Sequence, residues 1–152
     1  IGVGRIEARE DQTRIDTAAE QSLADGVIAK LPKGYDQQLG RLFRQGRDLS
    51  GGEWQKVAIA RAYMRDAELI ILDEPTAALD AKAEAEVFAR FKGLAAGKSA
   101  VIISHRFSTV RMADRILVLD SGAILEAGTH EQLVALKGRY AELFELQAAG
   151  YR

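Results

Sequence analysis

The chain has 152 residues, 47% hydrophobic and 28% charged, which is the ordinary range for one globular domain with a real core. With 21 basic and 22 acidic residues the formal net charge is -1, which gives no electrostatic case for bulk attraction to nucleic acid or an anionic membrane. There are no cysteines, which excludes a disulfide framework and a thiolate metal site and is compatible with a reducing cytosolic setting. Apolar runs such as Leu69 to Leu72 fall far short of the roughly 20 residues that cross a bilayer. The chain opens at Ile1 without a basic and apolar leader pattern, so it is expected to be part of a longer protein.

Up to about Asp48 the sequence is polar and helical in texture. Thr17 to Leu23 and Val27 to Leu31 read as short helices separated by Asp25 and Gly26, with Pro32 ending the second. A glycine-punctuated loop with Arg41, Arg44 and Arg47 follows. Ser50 with Glu53 then forms a capping-box pattern that opens a helix through Val57, Ile59 and Ala62. From Leu69 onward, short apolar runs alternate with helical patterns. The runs Leu69 to Leu72, Ala100 to Ile103 and Ile116 to Leu119 lack alternation, as expected of strands buried on both faces of a sheet. Between the first two, Val87, Phe88, Phe91 and Leu94 share one face of a crossover helix, which predicts a parallel pair. Asp120-Ser121-Gly122 is turn chemistry, so Ala123-Ile124-Leu125 is predicted to return as a hairpin strand. Thr129 with Gln132 opens a C-terminal helix that carries its apolar face on through Tyr140, Leu143, Phe144 and Leu146.

In open α/β sheets ligands bind at the carboxyl ends of the strands, so the residues after each apolar run are the candidates for chemistry. Asp73-Glu74-Pro75 follows the first run and Ser104-His105 the second. Two carboxylates and an imidazole on one sheet edge suit phosphoryl chemistry: one carboxylate can hold Mg²⁺ through water, a second can accept a proton from attacking water, and the imidazole can bond a phosphoryl oxygen. Gly51 and Gly52 strip side chains from the start of the helix that Ser50 caps, leaving amides and the positive dipole end open to a phosphate.

These residues resemble, in order and spacing, the motifs of ABC transporter ATPases. Leu49-Ser50-Gly51-Gly52-Glu53 resembles the signature motif, with Glu53 where the commonest form has Gln, and Leu69 to Glu74 resembles a Walker B strand. Ala78-Leu79-Asp80 resembles the D-loop and His105 the switch histidine. No G-x-x-x-x-G-K-[ST] occurs in the chain, and the glutamine loop of the family is also absent. The resemblance therefore implies the C-terminal part of a nucleotide-binding domain of an exporter. Its fold would be a partial P-loop NTPase-like α/β fold, a mostly parallel sheet with flanking helices. Residues 1–66 would be a helical subdomain portion carrying the signature, and residues 67–152 an α/β catalytic portion.

The resemblance also implies ATP and Mg²⁺ as cofactors and a second nucleotide-binding domain as partner, in a head-to-tail dimer that sandwiches two ATP molecules. Asp73 would be the metal ligand, Glu74 the general base and His105 a contact of the γ-phosphate. Ser50, Gly51, Gly52, Glu53 and Asp80 would contact nucleotide, with the signature acting on the ATP of the opposite subunit. Transmembrane domains would be the other partners, at the cytoplasmic face of the plasma (inner) membrane, with no role for nucleic acid. Without a phosphate loop the chain alone is expected to be inactive. A soluble ABC-type ATPase and an inert folded fragment are the alternative readings.

Plainer roles stand beside these. Asp73 and Glu74 could merely end a strand in solvent, and Asp80 could be only the N-cap of the crossover helix. His130 is read as solvated surface, and Trp54 as packing within the helical part. The arginines of residues 41–47 read as a solvated face or as a loop that contacts the membrane domain, though they depart from the commoner acidic form of that loop.

Overall fold

The computed structural model describes residues 1–150; Tyr151 and Arg152, the end of the expected α/β portion, lie outside the described residues. The chain folds as two compact units, Ile1–Val101 and a second from Ile102 onward.

In the first unit, helix α1 spans Gln12–Ser22 and starts earlier than the apolar pattern predicts, because the Asp11 side chain accepts the Arg14 N–H and caps it. It ends where Leu23 turns left-handed, at φ 63°. After the short α2 (Asp25–Ile28), α3 spans Gly51–Tyr63. Ala19, Ala24, Val27, Leu49, Val57 and Ala60 form one buried cluster, and Ile15, Ala18 and Met64 a second. The alanines let α1 and α3 approach closely. Arg14 fastens the far end of α3, donating from Nε and Nη2 to the Met64 carbonyl at 3.1 and 2.9 Å while pairing with Asp66.

Strand β1 (Leu69–Asp73) pairs with β2 (Ser99–Ile103) in a two-stranded sheet, and α4 (Ala81–Leu94) connects them. The expected apolar face of α4 is buried, with Val87, Phe88, Phe91 and Leu94 all at 8% exposure or less. Burial of the strands on both faces is not observed. Ile70 is buried, but Leu69 and Ile71 on the opposite face are 51% and 64% exposed, and Val101 and Ile103 are exposed too. The period-2 geometry of a strand sends neighbours to opposite faces, so one covered face leaves the alternate residues open.

In the second unit, β3 (Ile116–Asp120) and β4 (Ala123–Gly128) form an antiparallel hairpin of their own, with a register shift between Val118 and Leu119. The third apolar run thus pairs with β4, outside the β1–β2 sheet. Ser121 and Gly122 both take positive φ, 49° and 79°, the turn whose twist matches the strands it joins. Short α5 (Phe107–Val110) precedes the hairpin, and the predicted C-terminal helix is two helices, α6 (His130–Leu136) and α7 (Arg139–Gly150). Lys137 at φ 54° ends α6, and the Glu126 carboxylate of β4 accepts the Arg139 and Tyr140 amides that start α7. Gly138 makes this possible, since a Cβ there would collide with the Glu126 carboxylate. Ile116, Leu133 and Tyr140 form the core, and Phe107 stacks edge-on against Tyr140 and Phe144 at 5.2 and 5.3 Å. Among the described residues no helix is long and apolar enough to cross a membrane.

Candidate functional site

The capping box predicted at Ser50 is formed in full. The Ser50 Oγ accepts the Glu53 N–H at 3.3 Å, while Glu53 Oε2 accepts the Ser50 N–H at 2.8 Å and the Ser50 hydroxyl at 2.9 Å. The Ser50 amide bond to Glu53, then the Ser50 hydroxyl, holds the Glu53 carboxyl below its usual range. The box engages the Glu53 amide; those of Gly51 and Gly52, in the first helical turn, have no carbonyl one turn back to bond. Both glycines also have a packing reason. A Cβ on Gly51 would lie 3.3 Å from Ala78 Cβ, and one on Gly52 would lie 3.1 Å from the Ala78 carbonyl oxygen. The start of α3 therefore rests directly on the segment between the acid pair and Asp80.

Asp73 closes β1 with an exposed side chain. Glu74 follows at φ 45°, a left-handed conformation that a non-glycine residue seldom adopts and that clusters at functional sites. Its carbonyl accepts the Ala77 N–H at 3.2 Å and the Gln55 Nε2 at 3.0 Å, and Gln55 Oε1 in turn accepts the Ala78 N–H at 3.2 Å. Asp80 caps α4, its Oδ1 accepting the Lys82 and Ala83 amides at 3.0 and 2.9 Å. These bonds, the Ala83 amide first, lower its pKa. The plain capping role of Asp80 is thus realised. A single exposed carboxylate at a strand end fits Mg²⁺, which uses one or two carboxylates and keeps its remaining positions for water and phosphate oxygens; among the described residues no group of three acids or histidines forms a ready cage.

The first unit therefore brings Ser50, Gly51, Gly52 and Glu53 together with the stretch Asp73 to Asp80. His105 belongs to the second unit, just after β2, with an exposed side chain. Its backbone is bracketed by Gln147 of α7, whose Nε2 donates to the His105 carbonyl at 3.2 Å and whose Oε1 accepts the Phe107 N–H at 3.0 Å.

Two plainer readings need correction. His130 is half-buried rather than solvated: its Nδ1 lies 2.9 Å from the Tyr140 hydroxyl and its ring meets Phe144 edge-on at 5.1 Å. Trp54 is 36% exposed rather than buried within the helical part. The arginine loop is a closed projection. The Gly40 N–H donates to the Arg47 carbonyl and the Arg47 N–H to the Gln38 carbonyl, both at 2.9 Å, and Arg41 pairs with Asp48. Leu42 at its tip is 99% exposed.

The ABC transporter family model matches residues 5–77. Over 150 residues, 99% of this chain and 25% of the relative, the sequence is 43% identical to an ATP-dependent lipid A-core flippase of Legionella pneumophila. It is also 43% identical over 145 residues, 95% of this chain and 24% of the relative, to the Subtilin transport ATP-binding protein SpaT of Bacillus subtilis. A solved bacterial Atm1-family ABC exporter with ATP bound superposes with a TM-score of 0.87 at 38% identity, over 97% of this chain and 25% of that one. The chain belongs to the ABC transporter family. It spans about a quarter of the length of the relatives it matches, and its mixed α/β fold is part of the P-loop ATPase fold of such exporters.

Proposed function

We propose that the chain is the C-terminal portion of the nucleotide-binding domain of an ABC exporter. It works in a head-to-tail dimer whose ATP hydrolysis moves transmembrane domains from the cytoplasmic face of the plasma (inner) membrane. Residues 1–66 are the helical subdomain portion and 67–152 the catalytic portion. The observation that carries this reading is the acid pair at the end of β1, with Glu74 in a left-handed conformation beside a capped, two-glycine helix start. Bound ATP supplies the phosphoanhydride, and Mg²⁺ neutralises charge on its phosphates. Asp73 would hold the metal, and Glu74 would accept the proton of the attacking water. His105 hydrogen-bonds a γ-phosphoryl oxygen, and Ser50, Gly51 and Gly52 present amides and hydroxyl to the nucleotide of the partner subunit. Asp80 combines its cap with a place on the D-loop, and the loop tip at Leu42 and Phe43 faces the transmembrane domains.

The test is Glu74→Gln in the complete transporter. The amide keeps the shape of the side chain but cannot accept the proton, so hydrolysis is expected to fall by about 100-fold or more while ATP binding persists. Turnover at the wild-type rate would remove Glu74 from the role. The 152 residues alone contain no phosphate loop, so this polypeptide is expected to show no Mg²⁺-dependent ATP turnover above buffer.

A further inference from the structure

Gln55 has no part in the roles above, yet its side chain holds the segment carrying the general base at two points. Nε2 donates to the Glu74 carbonyl at 3.0 Å and Oε1 accepts the Ala78 N–H at 3.2 Å. Few side chains can make this pair of bonds. A glutamine carries donor and acceptor on one terminal group, whereas a glutamate lacks the donor and a lysine the acceptor. The residue it grips is the one at φ 45°. Such a conformation persists where the surroundings over-determine it. Here the Glu74 carbonyl takes bonds from the Ala77 N–H and from Gln55. One turn earlier, Gly51 and Gly52 lie close against Ala78, so contact between α3 and the turn runs continuously from the signature glycines to Gln55.

We propose that Gln55 is a positioning residue for Glu74, a clasp that fixes the left-handed turn against α3 and so sets the direction of the carboxylate. This rests on Glu74 as general base. The clasp binds backbone, so it acts on the geometry of the base and not on nucleotide contact. It also makes the signature helix and the Glu74 to Ala78 turn of one subunit move as one piece.

The experiment uses the complete reconstituted transporter. Gln55→Met keeps the reach and removes both bonds; Gln55→Glu keeps the acceptor for Ala78 and removes the donor to Glu74. Both are expected to lower kcat about tenfold with KM for ATP within about twofold, as loss of hydrogen bonds felt in the transition state requires. In a Glu74→Gln background, where there is no base to aim, Gln55→Met is expected to leave single-turnover hydrolysis and ATP affinity unchanged. Wild-type kcat in Gln55→Met would overturn the proposal, as would an equal loss in both backgrounds. If Gln55→Met does not assemble, Gln55→Glu carries the same comparison. Failure of the underlying reading looks different: Glu74→Gln would then turn over at full rate. A transporter silenced by Glu74→Gln but indifferent to Gln55 would sink the clasp alone.

Discussion

Glu53 is held ionised by the Ser50 amide and hydroxyl, so at neutral pH a full negative charge lies within one turn of the Gly51 and Gly52 amides. That charge opposes the phosphate those amides would receive. Glu53→Gln keeps an oxygen for the capping box and removes the charge. It is expected to lower the ATP concentration needed for dimer closure a few-fold at low ionic strength, with the gain vanishing near 1 M salt, where screening acts within about 3 Å. Closure measured against ATP at two salt concentrations checks this, and equal half-points at low salt would refute it. His105→Ala should slow turnover at least tenfold while changing nucleotide affinity little, because the proposed contact is to the transferring group. His130 cannot serve as a silent control for that experiment. Its bond to Tyr140 and its contact with Phe144 predict that His130→Ala costs the second unit about 1 kcal/mol, readable by chemical denaturation.

At the scale of elements, α4 hangs on one exposed carboxylate. The Asp80 pKa is lowered from its ordinary 3.8 by the Ala83 amide first. A depressed pKa means that the native state holds its proton less tightly. The stabilisation is therefore complete above the ordinary value and is lost as pH falls through the lower, folded value. Asp48, Asp66 and Glu53 are lowered too and act in the same acid window. Asp80→Asn keeps a capping oxygen that does not titrate, so its stability should fall less steeply than wild type below about pH 4. Identical slopes would show that this cap does not titrate. The caps were legible in the sequence because each is a local pattern: Ser50 with Glu53, Asp80 before a periodic run, Thr129 with Gln132. The strands were legible as apolar runs, with the acid pair and His105 following two of them, and the Leu49 to Glu53 pattern marked a helix start. What escaped was non-local. Gln55 and Gln147 bond backbone 19 to 23 and 40 to 42 positions away, and a glutamine that brackets a distant turn leaves no periodic trace. His130 was misread for the same reason, since Tyr140 reaches it only after α6 has ended and α7 begun. The exposed strand faces were missed because burial depends on what covers a strand, and an apolar run does not state that.

On the scale of the whole assembly, the proposed trans action of the signature needs a lesion that stays out of its own subunit's base. Gly51→Asp does not qualify, because a Cβ on Gly51 would press on Ala78, in the turn that follows Glu74. Ser50→Asp is cleaner: aspartate is a good N-cap and adds a carboxylate where phosphate would approach. Consider tagged dimers with Ser50→Asp and Glu74→Gln on separate chains, or on one chain opposite a wild-type chain. Trans action confines the separated lesions to one site and leaves the other intact, whereas lesions on one chain damage both sites. Single-turnover ATP hydrolysis retained only in the same-chain layout would refute it. Gln147 carries a different consequence, for the interchangeability of parts among relatives. The loop bearing His105 is braced by a helix some 40 residues downstream. A chimera that exchanged α7 for an unrelated tail would thus change the footing of the histidine while leaving every recognisable motif in place. Grafting only the motif-bearing half of such a domain transplants its letters without the brace that aims one of them.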